Sequence, residues 1–275
     1  MLTDLTKLAG LAVAVDATSG RLQRGDGVSA EESGVREIAA ACEVYTQAPP
    51  DAAPLYHMEN GLRVAGLDDP DPRLRYELTS LRPGVVGCER VKTMGHVHAP
   101  VADGLGHPEL YEVLCGVGAF PLFRERASGG WECVLVDAAA GERFVIPPGW
   151  HHLAINAGEQ AMVFADIVAR TVVPDYSVPR TRVGAPIRIG PDRVGSNPSY
   201  ASDGSFVRVC AHELPMPIDL DRGPLWPQFA RAPRRFAFLL QPTIAAATWK
   251  AFDALVAAAP ATPLSELDRE RSVRI

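Results

Sequence analysis

From residue 74 the chain alternates. Leu74, Tyr76 and Leu78 are apolar at every second position, followed by Leu81, before Arg82-Pro83-Gly84 interrupts the run. A period of two predicts a strand packed on one face. Similar strand segments follow over 85–98, 109–115, 118–124, 131–137, 142–146, 152–156 and 162–169. Gly- and Pro-rich turns separate them, and nothing in this third of the chain suggests strand–helix–strand units. Many short strands with so little helix predict an all-β barrel or jelly roll. Segments 109–115 and 118–124 are expected to pair as a hairpin across Gly116-Val117-Gly118.

The flanks differ. Residues 1–28 read as an arm, with a strand over 11–15 ending at Thr18-Ser19-Gly20. Ser29-Ala30-Glu31-Glu32 fits a capping box, so a short helix is expected over 35–42. Asn60-Gly61 is a hairpin signal between 55–58 and 62–65. Past residue 185 the composition shifts: 190–204 reads as a loop, 206–210 as a strand and 215–233 as an extended, proline-interrupted wrap. A helix is expected over 244–258, with Trp249, Phe252, Leu255 and Val256 on one face. Thr262-Pro263 fits the start of a last short helix running to Arg271. The expected organisation is an N-terminal arm (1–70), a barrel with the candidate site (71–185) and a partly helical C-terminal extension (186–275). That extension is expected to be structural or oligomer-forming, with a lid as the alternative.

At 275 residues the chain is long enough to bury a large core without staples. A net charge of −6 argues against nucleic acid as a partner. The only lysines are Lys7, Lys92 and Lys250, which removes most Schiff-base candidates. Five cysteines, an odd number with no CxxC pair, read as reduced thiols of a cytoplasmic protein. The N-terminal apolar run has no basic leader, so no signal peptide is expected, and no run reaches the roughly 20 residues of a membrane helix.

The chemistry concentrates in two stretches. Thr93 to Gly116 sets His96 and His98 two apart, then Glu109 and Tyr111 two apart. Strand parity aims each pair at one face. Gly141 to Asn156 delivers His152 after the tight Pro147-Pro148-Gly149 turn. Three imidazoles and a carboxylate converging in a barrel suit a divalent transition metal. The bland expectations are that His107 is solvated, that His151 points away from the site, and that His57 and His212 stand alone.

These stretches resemble the two cupin motifs. His96, His98, Glu109 and Gly116 match the first, and Gly141, Pro147, Gly149, His152 and Asn156 match the second in full. Within the cupins, Thr93-x-Gly95-His96-x-His98, Glu109-x-Tyr111, Pro147 to His152, Asp175-Tyr176 and Leu81-Arg82-Pro83-Gly84 are similar to the archaeal-type metal-dependent glucose-6-phosphate isomerases. The likeness covers roughly residues 10 to 180. It implies a cupin jelly-roll barrel, likewise all-β, and interconversion of glucose 6-phosphate and fructose 6-phosphate or a close relative of that reaction. It implies metal ligands His96, His98, Glu109 and His152, with Glu109, Tyr111 and His152 catalytic. It assigns the phosphate to Thr79, Thr93, Gly95 and Tyr176, and a homodimer is expected. Arg82 and Lys92 are additional candidate cations for the phosphate. Simple alternation turns Thr93 away from His96, a conflict that a bulge near Gly95 would resolve. The metal is one per chain, with Fe, Mn, Zn, Ni and Co all suited to the donor set.

The chain departs from that family in its longer His98–Glu109 spacer, in Gly149, in lacking a tyrosine at the end of the strand near Val168, and in its C-terminal extension. The rival functions are a cupin iron dioxygenase or other small-molecule cupin enzyme, and a non-catalytic sugar-binding cupin.

Overall fold

The computed structural model describes residues 1–49, 52–67, 69–101, 104–200 and 204–267. The alternation that opens at Leu74 becomes a strand, Leu74–Leu81, near the middle of a six-stranded antiparallel sheet. Its order is Arg143–Ile146, Glu109–Cys115, Met162–Ala169, Leu74–Leu81, Pro54–Asn60 and Glu32–Glu37. The facing sheet runs His151–His152, Val117–Glu125, Trp131–Ala139, Ser205–Cys210 and Thr262–Pro263. Ile155–Asn156 also pairs with Val117–Glu125. The strand Ser205–Cys210 joins in parallel beside Trp131–Ala139. The fold is the all-β cupin barrel, with helices confined mainly to the C-terminal part, chiefly Leu225–Arg231 and Ala246–Ala258.

Period two sorts the side chains. Tyr111, Val113, Phe144 and Phe164 face inward and meet Phe120, Leu122, Val134 and Val136 of the other sheet. The opposite face of the first sheet is also apolar: Tyr76, Leu78, Leu110 and Ile167 pack under N-terminal Leu5 and Val13 and under C-terminal Trp226 and Phe229. A strand covered on both faces reads as a continuous apolar run. Met162–Ala169 is such a strand, buried at every position, and its one charged residue is Asp166.

Several expected elements differ. The Glu109 and Val117 strands do not form a hairpin; they lie in different sheets. Gly116, at φ +78°, turns the chain from one sheet to the other, and a Cβ there would stand 3.0 Å from the Ala161 carbonyl oxygen. Residues 35–42 are not one helix: Glu32–Glu37 is an edge strand, and only Ala39–Val44 is a 3-10 helix. Pairing with Pro54–Asn60 outweighs the local capping signal. The Asn60-Gly61 hairpin is absent, because Pro54–Asn60 pairs instead with Glu32–Glu37 and Leu74–Leu81. The 85–98 segment is broken into Val85–Val86, Glu89–Arg90 and Val97–His98, with left-handed Gly87 and Gly95 at the breaks. Helix Leu225–Arg231 interrupts the expected extended wrap. Thr262–Pro263 is a strand, followed by helix Leu264–Leu267; the rest of the expected last helix lies outside the described residues.

Candidate metal centre and its cavity

His96, His98, Glu109 and His152 come together: one donor atom from each lies within 4.8 Å of the others. The sequence elements that bring them there are short. His98 sits on Val97–His98, paired with Pro174–Asp175. His152 pairs with Leu122 after the Pro-Pro-Gly turn, and His96 forms a bridge to His152. Lys92 bridges Ile155, so four steps along 92–96 face three along 152–155. The extra residue is the expected bulge, and Gly95 (φ +77°) lies within it. It lets Thr93 and His96 line the same cavity despite their odd spacing.

The hydrogen bonds aim the rings. His98 Nδ1 lies 2.7 Å from the His107 carbonyl oxygen, and His152 Nδ1 lies 3.2 Å from that of Trp150. A carbonyl can only accept, so both Nδ1 atoms carry the proton and both Nε2 lone pairs point into the cluster. There His98 Nε2 is 3.4 Å and His152 Nε2 is 3.1 Å from Glu109 Oε2. His96 Nε2 is 3.2 Å from His98 Nε2. Glu109 Oε2 and His152 Nε2 are buried and complete no hydrogen bond. Buried acceptors facing one another without protons are costly unless a cation satisfies them. The donor set therefore fits one divalent metal ion.

The charges agree. Burial raises the Glu109 carboxyl, but His152 and His98 overcome it and hold the group well below its ordinary value. Burial lowers His98, yet Glu109 outweighs that and raises it. Burial, with His152 and His98 beside it, drives His96 well down. Glu109 is thus favoured as the anion, the form that a divalent ion requires of a carboxylate ligand.

The donors open onto a cavity of about 320 Å³. Thr79, Thr93, Gly95, Tyr111 and Tyr176 all line it. Thr93 Oγ1 accepts the Ala154 N–H at 3.0 Å, leaving its own proton to donate. Tyr111 is stacked on Phe164 and held edge-on by Phe120 and Phe144. Tyr176 lies 5.4 Å from the His96 ring, centre to centre. His151 points away and stacks on Phe123. His107 is not solvated: it is buried, and Nε2 bonds Thr171 at 3.1 Å. His212 is exposed and pairs with Glu142. Arg82 and Lys92 do not reach the cavity. Arg82 donates to the Pro54 and Pro83 carbonyls, and Lys92 is buried against Glu89.

Arg36, Tyr56, Arg75, Glu77 and Asp166 line the cavity without having been legible as site residues from the motifs. Parity offered a signal for two of them, since Arg75 and Glu77 share the face of Thr79. Asp166 was legible as the lone acid in an apolar strand. The strand register sets it directly opposite both Glu77 and Tyr111. Burial, with Glu109 and Glu77 near, pushes Asp166 well above its ordinary value.

Burial pushes Glu77 up to about 7, with Arg75 opposing and Glu109 adding to the shift. Arg75 Nε is 2.8 Å from Glu77 Oε1, but neither atom completes a hydrogen bond, so burial wins. Between pH 4.5, the ordinary value, and about 7, the folded protein keeps a proton that the unfolded chain has lost. Stability from this group therefore falls as pH rises through that window. His151, lowered by burial to about 4, has the opposite slope: its contribution is complete above 6.5 and is lost as pH falls. The difference between variants isolates Glu77. Metal-free Glu77→Gln should match the wild type near pH 4.5 and exceed it above pH 7 by up to about 3 kcal/mol. Thermal melts across pH check this, and a constant difference between the two proteins would refute it.

A family model described as glucose-6-phosphate isomerase (GPI) matches residues 29–201. The chain belongs to the glucose-6-phosphate isomerase family. Its branch is the archaeal-type, cupin-fold one. It is 31% identical over 109 residues to a glucose-6-phosphate isomerase of Thermococcus onnurineus, covering 40% of this chain and 53% of that one. It is 29% identical over 132 residues to that of Pyrococcus abyssi, covering 47% and 66%. The chain spans about half the length of the first of these curated relatives. Among solved structures, Bacillus subtilis oxalate decarboxylase aligns with a TM-score of 0.31 at 12% identity, over 56% of this chain and 32% of that one.

Proposed function

We propose that the protein is a metal-dependent aldose–ketose isomerase acting on glucose 6-phosphate and fructose 6-phosphate or a closely related sugar phosphate. The observation that carries this reading is the orphaned pair Glu109 Oε2 and His152 Nε2, which opens onto a cavity that also holds Thr79, Thr93, Gly95 and Tyr176. The isomerase family of the chain supports the reaction class. A divalent ion held by His96, His98, Glu109 and His152 would supply Lewis acidity at the oxygens of carbons 1 and 2.

The chain's own groups supply the rest. Glu109 takes the proton from carbon 1 of the ketose as the carbon 2 oxygen gains one, giving an enediol. It then returns the proton to carbon 2 as the carbon 1 hydroxyl loses its own. In the alternative route, hydrogen passes directly from carbon 1 to carbon 2, and Glu109 only balances charge. Tyr111 donates to a sugar oxygen, and Thr79, Thr93, Gly95 and Tyr176 hold the phosphate. A dioxygenase for an apolar substrate is less well supported, because Arg36, Arg75, Glu77 and Asp166 make these walls polar.

The deciding assay couples fructose 6-phosphate conversion to glucose 6-phosphate detection, with chelator-stripped protein and protein reloaded with Mn²⁺, Fe²⁺ or Zn²⁺. Turnover should vanish on stripping and return with metal. Stoichiometric metal binding without turnover would overturn the isomerase reading.

A further inference from the structure

The cavity needs a positive charge if it is to hold a phosphate dianion, and the two cations picked from sequence lie elsewhere. Two others line it, Arg36 and Arg75. Arg75 is engaged, with its Nε 2.8 Å from Glu77. Arg36 forms no ion pair among the described residues, in contrast to Arg63 and Arg170, which both pair with Glu31. Its Nε is buried without a hydrogen-bond partner.

The strand register explains why this side chain enters the cavity. Arg36 lies on the edge strand directly opposite Tyr56, and directly opposed residues share a face. Tyr56, Met58 and Asn60 all line the cavity from that face. The pairing register shifts immediately after Arg36, the kind of irregularity that re-aims a side chain near a site. Tyr176 lines the same cavity and feels the guanidinium charge. Burial raises the pKa of both Tyr56 and Tyr176, and Arg36 is the largest opposing influence on each. Tyr176 in turn stands beside His96. A cation without a carboxylate partner thus borders the space that begins at the candidate metal centre.

We infer that Arg36 is the charged anchor of the substrate's phosphate, gripping it alongside the hydroxyls of Tyr56 and Tyr176. This rests on the sugar-phosphate reading above. The planar guanidinium suits phosphate oxygens, and its buried Nε–H, which has no partner, is a donor an anion can take.

The test uses the full chain with Arg36→Met, which keeps an apolar stem, and Arg36→Lys, which keeps the charge. Inorganic phosphate is the first probe, titrated calorimetrically into metal-free protein. The Met variant should lose binding by roughly 10–100-fold, and the Lys variant should recover part of it. In metal-loaded protein, the KM for fructose 6-phosphate should rise by a similar factor in the Met variant, with kcat and metal content changed far less. Unphosphorylated fructose, if turned over, should be indifferent to the change. Retained turnover with an unchanged KM would overturn the anchor and leave the isomerase reading standing. Wild-type protein that turns over no phosphosugar, yet binds phosphate in an Arg36-dependent way, would keep the anchor and overturn the reaction. If Arg36→Met fails to fold, Arg36→Lys with wild-type phosphate affinity and wild-type selectivity for phosphorylated over unphosphorylated sugar would count for a generic charge, and against a guanidinium grip.

Discussion

Glu109→Gln is expected to cut metal-dependent turnover by at least about 10³-fold, the equivalent of roughly 4 kcal/mol of lost transition-state stabilisation. The substitution is nearly isosteric, so the Glu109–Cys115 strand and its pairing with Arg143–Ile146 should persist. What disappears is the anion. Three neutral imidazoles hold a divalent ion less tightly than three imidazoles and a carboxylate, and the enediol route loses its base. The metal-free fold should lose some stability at neutral pH, because His152 and His98 hold the wild-type carboxyl well below its ordinary value. Three measurements separate these effects: metal content, turnover of reloaded protein and the melting temperature of stripped protein. Undiminished turnover at full metal occupancy would remove Glu109 from the chemistry. A collapse of the metal-free fold would show that the cluster is structural instead.

Asn156→Ala should show the opposite profile, with a large loss of stability and no direct role in the site. Asn156 is fully buried. Its Nδ2 lies 3.2 Å from the Leu81 carbonyl oxygen, 3.1 Å from that of Arg82 and 2.8 Å from that of Gln160. Its Oδ1 accepts the Gly158 N–H at 3.0 Å. Leu81 ends a strand of the first sheet, while Asn156 pairs with Gly118 in the second, so this one amide ties the sheets together. Alanine would strand several buried carbonyls at about 1–3 kcal/mol each. Allowing for shared donors, the loss should be about 3 kcal/mol or more, lowering the melting temperature by about 6–12 °C. Asn156→Asp should be no better, since it places acceptors against acceptors. A shift under about 2 °C for Asn156→Ala would refute this account. The last residue of the second cupin motif is thus a structural clasp, although it stands only four positions from a candidate ligand.

The same contrast runs through the rest of the fold. Strand parity in the middle of the chain was legible, because burying one face of a strand imposes a period of two whatever it packs against. The spacing of the candidate ligands was legible too. His96, His98, Glu109 and His152 are few, short-range and chemically distinctive, and the turn glycines between them carry their own conformational signature.

Pairing partners were not legible. The Glu109 and Val117 strands look like a hairpin locally, yet Gly116 sends them into separate sheets. The capping box at Ser29 loses to a strand that finds Pro54–Asn60. Both choices are made by apolar surface far away in sequence. The cavity's charges were hidden for the same reason. Arg82 and Lys92 are near the motif along the chain, but backbone carbonyls and Glu89 claim them. Arg36, sixty residues before His96, is brought to the same cavity by the edge strand of the six-stranded sheet. Sequence alone determined which side chains can bind a metal and which face of each strand they share, because those are local properties of spacing. Only the tertiary structure decided which charges meet them there, because strand order and register are settled by packing across the whole barrel.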